Sequence, residues 1–148
     1  MNVLLDNNAI DKLAQNIELI KNHPEMKFFI CREAIGEVSN NKTYNPTYNI
    51  IALLKAGVNY VPNAVFVLGH SKLDGESSFC SAKTSQVYKE VLNKNGSNVS
   101  DAIIAATAVA NDYILLTDDL RLIKKLVGHD YPFMTFSTLK YILLHRKS

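Results

Sequence analysis

Glycine is scarce in this chain. Its six residues form neither a GxGxxG nor a Walker-type run, so a phosphate cradle of the glycine-loop kind is excluded. There are only two cysteines, Cys31 and Cys80. Neither has a CxxC partner, which fits a reducing compartment and speaks against a disulfide scaffold. No apolar run approaches the ~20 residues of a membrane-spanning helix. Val3-Leu4-Leu5 is too short for the apolar region of a secretory leader and runs directly into an acid. A cytoplasmic protein with no membrane segment is expected. His23, His70, His129 and His145 are scattered without metal-ligand spacing, and no serine sits in a nucleophile elbow. Net charge is only +2, which neither declares nor forbids a nucleic-acid partner. Lys124-Lys125 and His145-Arg146-Lys147 are the basic clusters, readable as solvated surface or as a local basic footprint.

What the chain does have is an ordinary globular composition, 47% apolar and 20% charged. Its 148 residues fit one domain, taken as 1–148, large enough to bury roughly 68–70% of its unfolded surface. Apolar runs predict strands over 2–5, 28–30, 58–61, 64–68, 113–117 and 133–136. Helical spacing predicts helices over 9–21, 32–40, about 50–56 closed by Gly57, 82–94, 101–111, 119–127 and 138–145. Residues 40–46 and 69–78 read as loops. Strands alternating with helices imply an α/β sheet with helices on both faces.

Two of those strands end on acids. Val3-Leu4-Leu5 runs into Asp6, and Ile114-Leu115-Leu116-Thr117 runs into Asp118-Asp119. In an open parallel sheet the carboxyl ends of strands form one edge, where ligands bind. Each acid also has a plain structural role open to it. Asp6 can cap the helix that follows, although Asn7 and Asn8 could do so equally. Glu37 can be an exposed helix glutamate. Ser100 is a good N-cap, which puts Asp101 in a first turn where it complements the helix dipole. Asp101 shares its helical face with Ile104, Ala105 and Ala108, so its carboxylate lies toward the sheet, where it needs a charged partner or a metal. Of Asp118 and Asp119, one can cap the next helix, which leaves the other for different work. Gly36 costs roughly 1 kcal/mol of helix stability relative to alanine, which suggests a close backbone approach there. Clustered carboxylates repel one another and raise one another's pKa. A hard divalent cation, Mg²⁺ or Mn²⁺, removes that penalty and can activate water for attack on a phosphodiester.

With these residues in view, the chain resembles the PIN-domain family of metal-dependent nucleases. The resemblance rests on Val3-Leu4-Leu5-Asp6-Asn7-Asn8-Ala9-Ile10, on Ile35-Gly36-Glu37-Val38, on Ser100-Asp101-Ala102-Ile103-Ile104-Ala105-Ala106-Thr107-Ala108, and on Ile114-Leu115-Leu116-Thr117-Asp118-Asp119. Their order and spacing hold over residues 2–126. The resemblance implies a three-layer α/β/α domain with a mainly parallel central sheet. It implies that Asp6, Glu37, Asp101 and Asp119 hold Mg²⁺ or Mn²⁺, with Asn8, Thr117 and Asp118 in support. It implies RNA phosphodiester hydrolysis, and for members similar to the VapC toxins, a homodimer silenced by an antitoxin protein. The family often has Ser and Thr near the start of its second helix, where this chain has Cys31 and Ala34. Residues 62–81 also look longer than in compact toxins.

Other chemistries fit less well. Haloacid-type phosphatases need Asp-x-Asp after the first strand, and the third residue here is Asn8. Receiver domains need their acidic pair at the first strand, whereas the pair here comes late. The non-enzymatic rival is a catalytically silent PIN-like scaffold that binds protein or RNA, which would have no reason to keep all four acids.

Overall fold

The computed structural model describes residues 1–39, 46–65, 82–94 and 96–145. Its elements run β1 (Asn2–Leu5), α1 (Asn7–Ala14), α2 (Glu18–Lys21), β2 (Lys27–Cys31), α3 (Arg32–Ser39), α4 (Pro46–Lys55), β3 (Asn59–Val61), α5 (Ala82–Val91), α6 (Val99–Ala110), β4 (Ile114–Leu116), α7 (Leu120–Gly128), β5 (Phe133–Met134) and α8 (Phe136–His145). The five strands form one sheet in the order β3-β2-β1-β4-β5, and every pairing is parallel. The result is a three-layer α/β fold. Among the described residues no helix is long and apolar enough to cross a membrane.

The strand sequences explain the order. A parallel strand covered on both faces reads as an unbroken apolar run. Val3, Leu4 and Leu5 are all fully buried, and β1 is the central strand. β3 carries exposed Asn59 and Tyr60 and lies at one edge; β5, two residues long, lies at the other. Polar and very short strands suit edges, which otherwise invite pairing with other chains. From β1 the chain winds outward through β2 and β3, then returns to β4 on the opposite side of β1. The boundary between β1 and β4 is therefore the point where the winding reverses, and a crevice opens there at the strands' carboxyl ends.

α6 carries Asp101 to that crevice. Every residue from Ala102 to Ala108 is buried. A helix apolar on all sides is one enclosed on all sides, and four of those seven residues are alanine, which lets neighbouring elements approach closely. α6 packs against α5, α3 and β4.

Several expected boundaries shift, for local reasons. The helix expected over 9–21 is two helices. Asn16 interrupts it: its amide side chain donates to the Lys12 carbonyl at 2.7 Å and its N–H turns back to Leu13 at 3.0 Å. Such side-chain bonds compete with the helical ladder. α6 begins at Val99, with Asn98 rather than Ser100 in the cap position. α8 begins at Phe136, two residues early, because Asp118 accepts its N–H. Within the strand expected over 64–68, Ala64 leaves the sheet and donates its N–H to Thr107 Oγ1 at 3.0 Å. The rest of that strand, the 69–78 loop, residues 40–45, His70, Cys80 and the Arg146-Lys147 tail lie outside the described residues.

The two glycines singled out by sequence separate cleanly. Gly57 has φ +110 and ends α4 in a Schellman motif, with its own N–H on Leu54 (3.2 Å) and that of Val58 on Leu53 (3.0 Å). Gly36 shows no close approach among the described residues: a Cβ added there meets none of them within 4 Å beyond its own helix backbone, so the expectation of backbone crowding is corrected. In urea denaturation, Gly57→Ala is expected to lower stability by about 1 kcal/mol because an L side chain is strained at that φ. Gly36→Ala is expected to raise it by roughly 0.5–1 kcal/mol through helix propensity. Equal effects of one sign would contradict this assignment.

Candidate metal centre

The site starts from the ends of the two strands flanking the reversal point. Past β1, the Asp6 N–H still bonds to the Leu116 carbonyl at 3.0 Å, so Asp6 is held against β4. Its side chain is fully buried. Oδ1 accepts the Asn7 N–H at 2.8 Å, which makes Asp6 the N-cap of α1. Oδ2 accepts the Thr117 hydroxyl at 2.7 Å. Thr117 is itself fully buried, and its Oγ1 accepts the Asp119 N–H at 3.1 Å. The structural and chemical readings of Asp6 are therefore not alternatives, because one carboxylate both caps a helix and faces the crevice.

α3 brings Glu37 to the same place and α6 brings Asp101 in its first turn. One oxygen from each of Asp6, Glu37 and Asp101 lies within 4.8 Å of the others. Asn7 donates its amide to Glu37 Oε2 at 2.6 Å, so a single residue touches two of the three acids. Beside them lies a cavity of about 230 Å³ lined by Glu37 and residues 96–101. Three converging carboxylates from three separate elements form the donor set that a hard cation such as Mg²⁺ or Mn²⁺ takes. The residues present fit such an ion.

The remaining sequence candidates fall around this trio. Asp119 is the N-cap of α7: its Oδ1 accepts the N–H groups of Arg121 and Leu122 at 3.0 and 3.4 Å. It stands outside the trio but close enough for its charge to act on Asp6 and Asp101. Asn8 Oδ1 accepts the Asp118 N–H at 3.3 Å. The Asp118 side chain points away from the trio, bonding Lys12 and accepting the Phe136 N–H at 3.0 Å. Burial pushes the Asp118 carboxyl up, but the bonds from Lys12 and Phe136 outweigh it and hold it below its usual range. The expectation that one of this acidic pair would be left without capping work is corrected: Asp119 caps α7 and Asp118 serves the start of α8. Sequence reasoning also missed Asn7 and Lys12. Asn7 carried a faint signal in its place beside Asp6; Lys12 carried none, since its partner is 106 residues away. Lys125, expected among surface basic groups, donates to the Val91 carbonyl at 2.6 Å and to Asn93 Oδ1.

Burial raises the Asp6 carboxyl to about 6, with the charges of Glu37 and Asp119 adding to the effect; the Thr117 and Asn7 bonds oppose it without cancelling it. Asp101 is likewise pushed up to about 6, first by burial, then by the charges of Asp6 and Asp119, against the pull of the Lys125 ammonium.

No family model matches the sequence, and no curated protein matches it either. Comparison of structures is informative. A PilT N-terminus (PIN) domain protein from Sulfolobus solfataricus P2 superposes with a TM-score of 0.60 at 13% identity, covering 100% of this chain and 98% of its own. The fold is that of the PIN domain. VapBC-1 from nontypeable Haemophilus influenzae matches with a TM-score of 0.57 at 18% identity, over 93% of this chain and 99% of that one. VapBC2 from Rickettsia felis, whose structure holds a promoter DNA fragment, matches with a TM-score of 0.54 at 19% identity, over 91% and 98%. PIN likeness at this level of identity speaks for the architecture; what the site does is argued from its residues.

The raised carboxyls set a pH dependence. Between the unfolded value of 3.8 and the folded value of about 6, native Asp6 keeps a proton that the unfolded chain has lost. The native state then binds more protons, so stability falls as pH rises through this window, and the full cost is present above about 6. The stability of wild type relative to Asp6→Asn, measured without divalent ions, is expected to fall by roughly 2–3 kcal/mol from pH 4 to pH 7. A difference that stays constant or grows would mean that Asp6 ionises without penalty.

Proposed function

We propose that this protein is a divalent-metal-dependent endoribonuclease of the PIN type, with Asp6, Glu37, Asp101 and Asp119 as its acidic site. The observation that carries this is the convergence of three carboxylates, from the residue after β1, from α3 and from α6, at the reversal point of the sheet. Like charges brought so close are costly, and a Mg²⁺ or Mn²⁺ ion relieves that cost. When bound, such an ion supplies the positive charge that activates water and stabilises the leaving oxygen of a phosphodiester.

The chain's own residues prepare the site. Thr117 and the Asn7 N–H fix both oxygens of Asp6. The Asn7 amide turns Glu37 toward Asp6. Asp119 adds negative charge at the rim while it caps α7, and its Oδ2 makes no hydrogen bond among the described residues. Asn8 steadies the backbone at Asp118. Arg121 and Lys124 are exposed on α7 and would guide the RNA backbone, since phosphate contacts supply most sequence-independent affinity. Lys125, held by the α5 terminus, is a weaker choice for that role.

The likeness to the two VapBC structures supports a narrower proposal: a cytoplasmic toxin, homodimeric and silenced by an antitoxin protein. One observation favours the rival reading of a silent scaffold, namely that Asp119 is turned to its own helix.

Calorimetry with Mn²⁺ on wild type and Asp101→Asn, with circular dichroism as the check on folding, separates the two. A nuclease site predicts binding weakened at least ~10-fold in the variant. Loss of single-stranded RNA hydrolysis by ~10²-fold or more is expected in Asp6→Asn. Absent or equal Mn²⁺ binding in both proteins would favour the scaffold, and cleavage confined to DNA would correct the substrate. For the toxin role, expression of wild type should arrest growth and Asp6→Asn should not; identical growth would reject it.

A further inference from the structure

We propose that Glu33, with Asn63 and Ser100, forms a strut that positions Glu37 opposite Asp101; this rests on the metal-centre reading above. α3 starts directly after the buried end of β2. The residue in front of it is Cys31, whose sulfur is a weak acceptor and whose thiol is pushed up to about 11, chiefly by burial. First-turn N–H groups of a helix need partners. The Glu33 N–H finds one in the side chain of Asn63, at 2.9 Å and 30 residues further on. Asn63 is buried, so this cap comes from the segment after β3 and adds an oxygen to the weaker bonds that the Glu33 and Ala34 N–H groups make to the Cys31 sulfur.

The Glu33 carboxylate reaches the other way. Its Oε2 accepts the Ser100 hydroxyl at 2.7 Å. One residue is thus bonded through its main chain to residue 63 and through its side chain to α6. The circuit closes independently, because Ala64 donates to Thr107 Oγ1 at 3.0 Å and Thr107 in turn donates to the Ile103 carbonyl at 2.8 Å. α3, α6 and residues 63–64 are locked together at three corners.

The strut sits where spacing matters. Glu33 and Glu37 are four apart on α3 and so share a face, and Ser100 immediately precedes Asp101. The distance between the two helices is therefore pinned one residue from one proposed ligand and one turn from the other. Mutual repulsion of Glu37 and Asp101 acts to widen that gap, and the Glu33–Ser100 bond opposes it. Glu33 is not among the three converging carboxylates. Its role is to position, not to ligate. Neither Cys31 nor Ala34, where the PIN pattern often has Ser and Thr, offers a comparable oxygen.

The test is Mn²⁺ affinity by calorimetry on the full chain for wild type, Glu33→Gln, Glu33→Ala, Ser100→Ala and the Glu33→Ala/Ser100→Ala double variant, with melting curves of each metal-free protein. Glu33→Gln keeps an oxygen for Ser100 and is expected to bind within about threefold of wild type, while Glu33→Ala and Ser100→Ala each weaken binding about tenfold. The double variant should be no weaker than either single one, since both remove the same bond. Wild-type affinity in Glu33→Ala would overturn the strut, even if that variant melted earlier. So would equal losses in Glu33→Gln and Glu33→Ala, which would make Glu33 a charge or a ligand, and so would additive losses in the double variant. If Glu33→Ala does not fold, Ser100→Ala, which removes a single hydroxyl, carries the same comparison. A wild type that binds no Mn²⁺ overturns the metal-centre reading and the strut with it; a wild type that binds, with unchanged variants, overturns the strut alone.

Discussion

The bond between the Thr117 hydroxyl and the Asp6 carboxylate, both fully buried at the junction of β1 and β4, is the contact on which the rest of the site depends. A carboxylate removed from water is costly unless each of its oxygens has a partner. Asp6 meets that demand with one bond to its own helix and one to the neighbouring strand. One partner is a main-chain N–H and the other the hydroxyl of a buried threonine, so both carboxylate oxygens are held in place. The other acids are brought to it, on α3 and α6, and the charges of Glu37 and Asp119 add to the burden that burial already imposes.

Two of the four acids of the proposed site, Asp6 and Asp119, are also helix caps. Asp6 caps α1, Asp119 caps α7 and Asp118 accepts the first N–H of α8. Helix starts cluster at the carboxyl edge because every crossover helix in a parallel sheet begins where a strand ends. Acids suit those starts electrostatically. An acidic edge is thus cheap for this architecture to build, and a metal site there needs only that a few of the caps also face one another.

The main lines were legible in the sequence because they follow from local pattern. Val3-Leu4-Leu5 is apolar without alternation, which reads as a strand covered on both faces, and the acid after it marks the sheet edge. Asp101 declared itself through the apolar stripe that follows it. What stayed hidden were side-chain pairings between distant residues. Asn7 with Glu37, Lys12 with Asp118, and Asn63 with Glu33 join positions 30 to 106 residues apart. Each depends on how segments far apart in the chain pack against one another, and no periodicity records that. The break at Asn16 was hidden differently: the apolar spacing runs on through it, while a single amide takes the carbonyl the helix needed.

The place of β4 in the sheet bears on how the chain folds as it is made. β1 is synthesised before the other strands of its sheet, yet one of its two neighbours lies 111 residues away along the chain at the Asp6–Thr117 contact. At cellular rates of about 5–20 residues per second, that neighbour emerges roughly 5–20 s later. Through that interval the central strand, with Val3, Leu4 and Leu5 all to be buried, has a partner on one side only. The half-built sheet of β1, β2 and β3 presents an unpaired inner edge, which is the kind of surface that recruits strands from other chains. The earliest strand of the sheet is thus enclosed only once β4 arrives, and the acidic site closes only when Asp101 and the end of β4 have both been delivered.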